Sequence, residues 1–154
     1  MIDKQIDKKW IEAHIPHQGS MCLLEGVTHW SEQSITCSST THQLASNPLR
    51  VSSRLNAACG IEYAAQAMAI HGALLAPARE SRPRAGFLVS VRGAKIYRQH
   101  LHDLKQALTI IVECINKSED NLLYAFTVLA ENTLLLEGRA AVLTNTESLL
   151  GSSQ

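Results

Sequence analysis

The stretch Ala57-Ala58-Cys59-Gly60-Ile61-Glu62-Tyr63-Ala64-Ala65-Gln66-Ala67-Met68-Ala69-Ile70-His71-Gly72-Ala73-Leu74-Leu75-Ala76 decides how the rest of the chain is read. Its small residues and its lack of an internal proline predict one long central helix within 55–76. A helix apolar around most of its circumference is buried on nearly all sides. Glu62 is the sole acidic residue between Glu32 and Glu80, and a carboxylate in such surroundings loses much of its hydration unless something pairs it. The expectation is a buried carboxyl whose pKa burial raises. A membrane span is the competing reading, because twenty helical residues cover about 30 Å. Alanine and glycine contribute little insertion energy, and Glu62, Gln66 and His71 each oppose insertion. A core helix is the reading adopted, and no membrane partner is expected.

The remaining 134 of the 154 residues must cover that helix, and a chain of this length buries a core as a single domain, 1–154, without help from metals or disulfides. Fourteen basic residues balance fourteen acidic ones, so no overall field argues for nucleic acid. Cysteines stand at 22, 37, 59 and 114, with no spacing typical of a metal site. The opening MIDKQIDKKW has no apolar run of the signal-peptide kind. Reduced thiols in the cytoplasm and no metal are therefore expected.

Outward from the helix, Ile2, Ile6 and Trp10 recur at helical spacing and predict an amphipathic opening helix within 1–14, ending before Ile15-Pro16. Met21 to Trp30 and Ser34 to Thr41 read as two strands, followed by a polar loop with His42, Asn47 and Pro48. After Pro77 and a basic connector from Arg79 to Arg84, four β-like runs follow: Gly86 to Tyr97, Ala107 to Asn116, Leu122 to Ala130 and Leu134 to Thr144. Leu134, Leu136, Gly138, Ala140 and Val142 alternate against Glu137 and Arg139, and the tail 145–154 is expected to fray. Short links favour antiparallel neighbours. The class is α+β, with one curved antiparallel sheet wrapped around a long central helix, which is the hotdog fold.

Several local segments then resemble a family. Ile15-Pro16-His17-Gln18-Gly19-Ser20-Met21-Cys22-Leu23-Leu24-Glu25 resembles the Leu-Pro-His segment that opens the hotdog 3-hydroxyacyl-acyl carrier protein dehydratases. His42 with Asn47-Pro48 is similar to their His-then-Asn-Pro loop, and Glu62 with Gln66 to their Glu-x-x-x-Gln helix. Gly86-Phe87-Leu88, Lys95-Ile96 and His102-Asp103-Leu104 are similar to their third strand and the turn beyond it. Among these enzymes the stand-alone members of aryl-polyene pigment synthesis are the nearest in pattern. The chain departs from the fatty-acid enzymes in two places. An insertion around Val51 to Arg54 sets His42 twenty positions before Glu62, and Asn56-Ala57 stands where they carry Pro-Gly.

The resemblance implies removal of water from 3-hydroxyacyl thioesters to give 2-enoyl thioesters. Such a reaction needs a base at C2, an acid for the departing hydroxyl and donors for the thioester oxygen. The first amides of the central helix, Ala57, Ala58 and Gly60, are expected donors, with Gly86 and Phe87 beside the substrate by resemblance. Glu62 is the expected acid and histidine the natural base. His71 lies nine positions from Glu62, about 900° of rotation and hence on the opposite face, so it is read as structural. His42 is preferred over His17 on loop placement and resemblance, and Gln66 is placed to orient the carboxyl or bind the water. Glu62 paired merely with Arg54, or with an arginine of a partner subunit, is the competing structural reading.

No cofactor is expected beyond the phosphopantetheine of an acyl carrier protein, which the resemblance implies as partner. Arg79, Arg82, Arg84, Arg92, Lys95 and Arg98 form a local basic cluster suited to that acidic carrier. The resemblance further implies a homodimer or higher oligomer, or a mixed dimer with a sister dehydratase. Two alternatives stand beside the dehydratase: a hotdog thioesterase, and a non-catalytic subunit of a dehydratase heterodimer.

Overall fold

The computed structural model describes residues 6–76 and 87–143. Along the chain run β1 (Ile6–Asp7), α1 (Lys8–His14), β2 (Gly26–Trp30), β3 (Ser34–Ser39), α2 (Gly60–Leu75), β4 (Phe87–Ile96), β5 (Leu108–Lys117), β6 (Asn121–Ala130) and β7 (Thr133–Leu143). The strands form one antiparallel sheet in the order β1-β2-β3-β5-β6-β7-β4, with α2 packed on it. This is the expected hotdog fold.

Each element has a local cause. Asp7 accepts from the Trp10 amide at 3.0 Å and caps α1, which stops at Ile15 because the residue before a proline resists the helical conformation. Asn56 Oδ1 accepts from the Ala58 amide at 2.8 Å and opens a 3₁₀ turn, Ala57–Cys59, that runs into α2. The regular helix is therefore shorter than 55–76. In the strands, β3 and β6 alternate buried and half-buried residues, the period expected of a sheet with one face on a core. That core comprises Ile35, Cys37, Ile110, Val112, Tyr124, Phe126, Val128 and Leu136 from the sheet, with Tyr63, Ala64, Ala67 and Ile70 from α2. Burying each large aliphatic or aromatic side chain there contributes about 1.5–3 kcal/mol.

Small residues let helix and sheet meet closely at one point in particular. A Cβ on Gly60 would come within 2.6 Å of Leu136 Cδ2 on β7, so the first turn of α2 packs directly on the Leu136 side chain, which would have to move to admit a larger residue. The helix is not enclosed all round, however. Gly60, Tyr63, Ala64, Gln66, Ala67, Met68, Ile70 and His71 are buried, whereas Ile61, Glu62, Ala65, Ala69, Gly72 and Ala73 form a half-exposed stripe. The sheet covers one side and leaves this stripe facing outward.

Two further expectations change. Met21 to Glu25 is not strand; a 3₁₀ turn, Gly19–Met21, and an extended segment lead into β2. The insertion around Val51 to Arg54 is a tight reversal in which Val51 bridges Arg54, with Ser52 and Ser53 at φ 52° and 65°. Two successive left-handed residues make a compact turn, so the insertion folds on itself and adds no new element. The expected frayed tail, 145–154, lies outside the described residues, as do Arg79, Arg82, Arg84 and Gly86. The four cysteines are all free.

Candidate active site

Pro16, His17, Glu62, Ala65, Met68 and Val142 are among the walls of a cavity of about 150 Å³ beside the half-exposed stripe of α2. His17 Nε2 stands 3.4 Å from Glu62 Oε1, with the two side chains 27% and 36% exposed. The expected all-round burial of Glu62 is thus corrected: its carboxyl sits at a cavity mouth with two described partners, His17 and Gln66, and not Arg54. Its pKa also moves opposite to the expectation. The adjacent His17 imidazole holds the carboxyl below its ordinary range of about 4.5, outweighing the upward push of partial burial, and Gln66 helps. The charged carboxylate of Glu62 is thus the favoured form.

His17 reaches this place through the segment around it. Glu12 Oε2 accepts from the Gly19 amide at 2.9 Å, and Gly19 takes φ 59°, which turns the chain sharply after His17. Beyond the turn, Gln66 fastens the segment to α2. Its Nε2 donates to the Met21 carbonyl at 2.7 Å, its Oε1 accepts from the Leu23 amide at 2.8 Å, and Nε2 also lies 3.5 Å from Glu62 Oε1. Gln66 is fully buried. An amide satisfied at both ends inside a core is fixed in orientation, so one side chain sets both the histidine segment and the carboxylate.

His42, the preferred base on sequence, is placed elsewhere. It is fully buried, and its Nε2 lies 3.1 Å from the Leu104 carbonyl while its own carbonyl accepts from Arg50. Burial pushes its pKa down, so it is a neutral core imidazole tying its loop to the turn after β4. The rest of the His-Asn-Pro loop is likewise architectural. Asn47 Nδ2 donates to the Thr41 carbonyl at 2.9 Å and to Tyr63 Oη at 3.0 Å, and Thr41 Oγ1 lies 2.8 Å from the same phenol. His71 is structural as expected. Tyr124 Oη and the Ser31 carbonyl occupy its two ring nitrogens at 2.7 and 2.8 Å, and burial lowers its pKa.

The helix start does not offer the expected donors. The Ala57 amide donates to Gln99, Ala58 to Asn56 Oδ1, Cys59 to Asn56 and Gly60 to Ala57 and Ala58 carbonyls. Asn56, where the related enzymes have proline, takes up two of these amides, those of Ala58 and Cys59. Ala57, Ala58 and Gly60 therefore serve packing and capping. Leu88, beside Phe87 on β4, does line the cavity.

On the outer surface, Arg92 and Lys95 are exposed on β4, and Arg92 pairs in register with exposed Arg139 of β7. Like charges placed opposite each other are unfavourable within a sheet. Arg98 is already engaged, with Nη2 3.0 Å from Asp103 Oδ1. No group of three or more His, Cys, Asp or Glu side chains among the described residues forms a metal site, and no described helix is long and apolar enough to cross a membrane.

No curated protein matches the chain. Among solved structures, the dehydratase heterocomplex ApeI:P from Xenorhabdus doucetiae is similar at 20% identity, with a TM-score of 0.81 over 94% of this chain and 97% of that one. Thioesterase HI1161 from Haemophilus influenzae is similar at 13% identity and TM-score 0.56, over 77% of this chain and 76% of that one. A hypothetical thioesterase with coenzyme A from Streptococcus pneumoniae gives 11% identity and TM-score 0.54, over 77% and 84%. These likenesses are of fold. The model of the ApeP-like family, described as ApeP dehydratase, matches residues 9–150, a span that contains both His17 and Glu62, and the chain belongs to the ApeP-like dehydratase family.

Proposed function

We propose that this dehydratase removes water from 3-hydroxyacyl thioesters carried on an acyl carrier protein, giving 2-enoyl thioesters, with His17 and Glu62 as its acid–base pair. The observation that carries the reading is their 3.4 Å contact at the mouth of a largely apolar cavity. The imidazole takes the C2 proton, and the Glu62 carboxylate stabilises the imidazolium that forms. The C3–O bond breaks as the double bond forms, and the hydroxyl departs as water with a proton returned from the pair. No net proton is consumed and no cofactor is required beyond the carrier's phosphopantetheine.

Exposed Arg92, Lys95 and Arg139 suit an acidic carrier, since the cost of placing Arg92 beside Arg139 is relieved when an anion covers both. Aryl-polyene synthesis fits as the setting by resemblance.

A mixed dimer is favoured by a separate observation. β4 ends the sheet order, so one side of it lacks a strand partner among the described residues, and Leu88 and Ile96 on it are exposed. One similar solved structure is the dehydratase heterocomplex ApeI:P. A sister dehydratase across this edge would also shelter the half-exposed Glu62.

The test is incubation of the purified protein, alone and with a sister subunit, with a 3-hydroxyacyl carrier thioester. Appearance of the conjugated enoyl thioester, lost in Glu62→Gln, supports the reading. Release of free acid and thiol without alkene would identify a thioesterase instead. Activity that needs the partner and survives Glu62→Gln would make this chain a non-catalytic subunit.

A further inference from the structure

Tyr63 follows Glu62 on α2 but faces the core and is fully buried. Its phenol meets two side chains of the preceding loop, Asn47 and Thr41, which are buried as well. Counting donors fixes the proton directions. Asn47 Nδ2 donates to Tyr63 Oη at 3.0 Å. Thr41 Oγ1 donates its single proton to the Leu23 carbonyl at 2.7 Å, so at its 2.8 Å contact with Tyr63 it accepts, and the phenol O–H is the donor. Ser39 Oγ is a second donor to the same Leu23 carbonyl. The Leu23 amide, in turn, donates to Gln66 Oε1 at 2.8 Å. Leu23 is therefore held at both backbone polar atoms by groups that lead back to α2: its amide by Gln66, and its carbonyl through Thr41 by Tyr63. Tyr63 and Gln66 are three positions apart and so neighbours on the helix. A buried polar network whose members are all paired specifies one arrangement of the segments that it joins.

The segment that carries His17 needs such a hold. Pro16, Gln18, Gly19, Ser20 and Met21 are exposed, and burial resumes only at Cys22, Leu23 and Leu24. Packing therefore fixes the far end of the segment only from Cys22 onward, and the Gln66 amide alone would leave it free to pivot. We propose that Tyr63 is a positioning residue for the dehydration: acting through Thr41 and Leu23, its hydroxyl completes the clamp by which α2 holds the His17 segment against Glu62. The proposal rests on the dehydratase reading for its kinetic effect and on the hydrogen-bond geometry for its effect on the segment. A tyrosine kept only for its bulk would be served as well by phenylalanine.

The test compares wild type with Tyr63→Phe, which removes the phenol oxygen, Thr41→Val, which removes the hydroxyl it bonds, and Thr41→Ser, which keeps that hydroxyl. Each is assayed below its own melting transition on the 3-hydroxybutyryl thioester of pantetheine. The expected result is a fall of at least fivefold in kcat for Tyr63→Phe and Thr41→Val with KM within twofold, because misplaced reacting groups cost rate. Thr41→Ser should stay within twofold of wild type. In a Gln66→Ala background, where the clamp is already open, the loss from Tyr63→Phe should shrink to within twofold. A smaller fall in kcat in the folded variants, or a loss that multiplies with Gln66→Ala, overturns the assignment. If Tyr63→Phe does not fold, the two Thr41 variants decide by the same thresholds. Amide hydrogen exchange supplies an arm that needs no turnover. In Tyr63→Phe, or in Thr41→Val in its place, the acceleration at the Leu23 amide should exceed that at the Val112 and Phe126 amides of β5 and β6 by at least tenfold. A smaller difference means a general loss of stability and overturns the clamp. Should the wild type dehydrate nothing, the catalytic reading fails, and the exchange result alone decides whether Tyr63 holds the segment.

Discussion

Removing either member of the His17–Glu62 pair should leave the fold intact and nearly abolish turnover, whereas removing His42 should do the reverse. The side chains of the pair are 27% and 36% exposed at 3.4 Å. A contact this open to water contributes at most about 0.2–1 kcal/mol to stability even when charged, so Glu62→Gln and His17→Gln should melt within a few degrees of wild type. Acid–base groups of this kind contribute about 10²–10⁴ in rate, or roughly 2.7–5.5 kcal/mol of barrier. Because the two act as one unit, the double variant should lose little more than either single one. His42 is fully buried, with its ring against the Leu104 carbonyl. His42→Ala opens a cavity costing about 2–5 kcal/mol, which lowers Tm by on the order of 10 °C for a chain of this length. Below its melting transition it should keep turnover within a few-fold. The assay is enoyl thioester absorbance under kcat/KM conditions, paired with calorimetric melting of each variant. A stably folded His42 variant as inactive as Glu62→Gln would refute the assignment. So would losses that multiply in the double variant, since these would mean independent roles.

Three other outcomes follow from the same coordinates. Burial lowers the folded-state pKa of both His42 and His71 from 6.5, so the unfolded chain binds more protons as pH falls below that value. Stability should therefore decline on acidification from about pH 7 and level off once the folded-state values are passed; a His42→Gln/His71→Gln variant whose Tm still falls as steeply would contradict this. Glu62, with its folded-state pKa depressed, adds a second, more acidic loss that Glu62→Gln should remove, visible in the same melts below the ordinary carboxylate pKa. At Gly138 a Cβ would approach Phe126 Cζ to 2.8 Å and the Ala94 Cα to 3.2 Å, so Gly138→Ala should destabilise by about 1–3 kcal/mol, read from the denaturation midpoint. Carrier binding, followed by fluorescence anisotropy, should weaken with added salt and fall several-fold further in Arg92→Glu, while unchanged affinity would remove this face from the docking surface.

The sheet was legible because alternation survives in the sequence. Leu134, Leu136, Ala140 and Val142 against Glu137 and Arg139 mark β7 to within a residue, and β5 and β6 are equally close. Met21 to Glu25 misled because its apolar residues, Cys22, Leu23 and Leu24, are all buried without alternating, which periodicity alone does not separate from a strand. At the site, the Glu62/Gln66 pair and the His17 segment were both visible, but the choice between His17 and His42 was not. That choice depends on hydrogen bonds joining Gln66 to Met21 and Leu23 across more than forty positions, for which local spacing carries no signal. The charge state of Glu62 was misread for a related reason. Small residues predicted enclosure on all sides, whereas they form a stripe at α2 that the sheet leaves open. The capping by Asn56 was readable in principle, since asparagine is a favoured N-cap and accepts the amide two residues on.

The two-ended grip of Gln66 means that the geometry at Glu62 depends on contacts between segments more than forty positions apart. Its amide oxygen accepts from, and its amide NH2 donates to, backbone of the opening third of the chain, so imidazole and carboxylate meet only where those distant segments are docked. A molecule in which the opening segment has come away from α2 would keep both side chains and lose their juxtaposition.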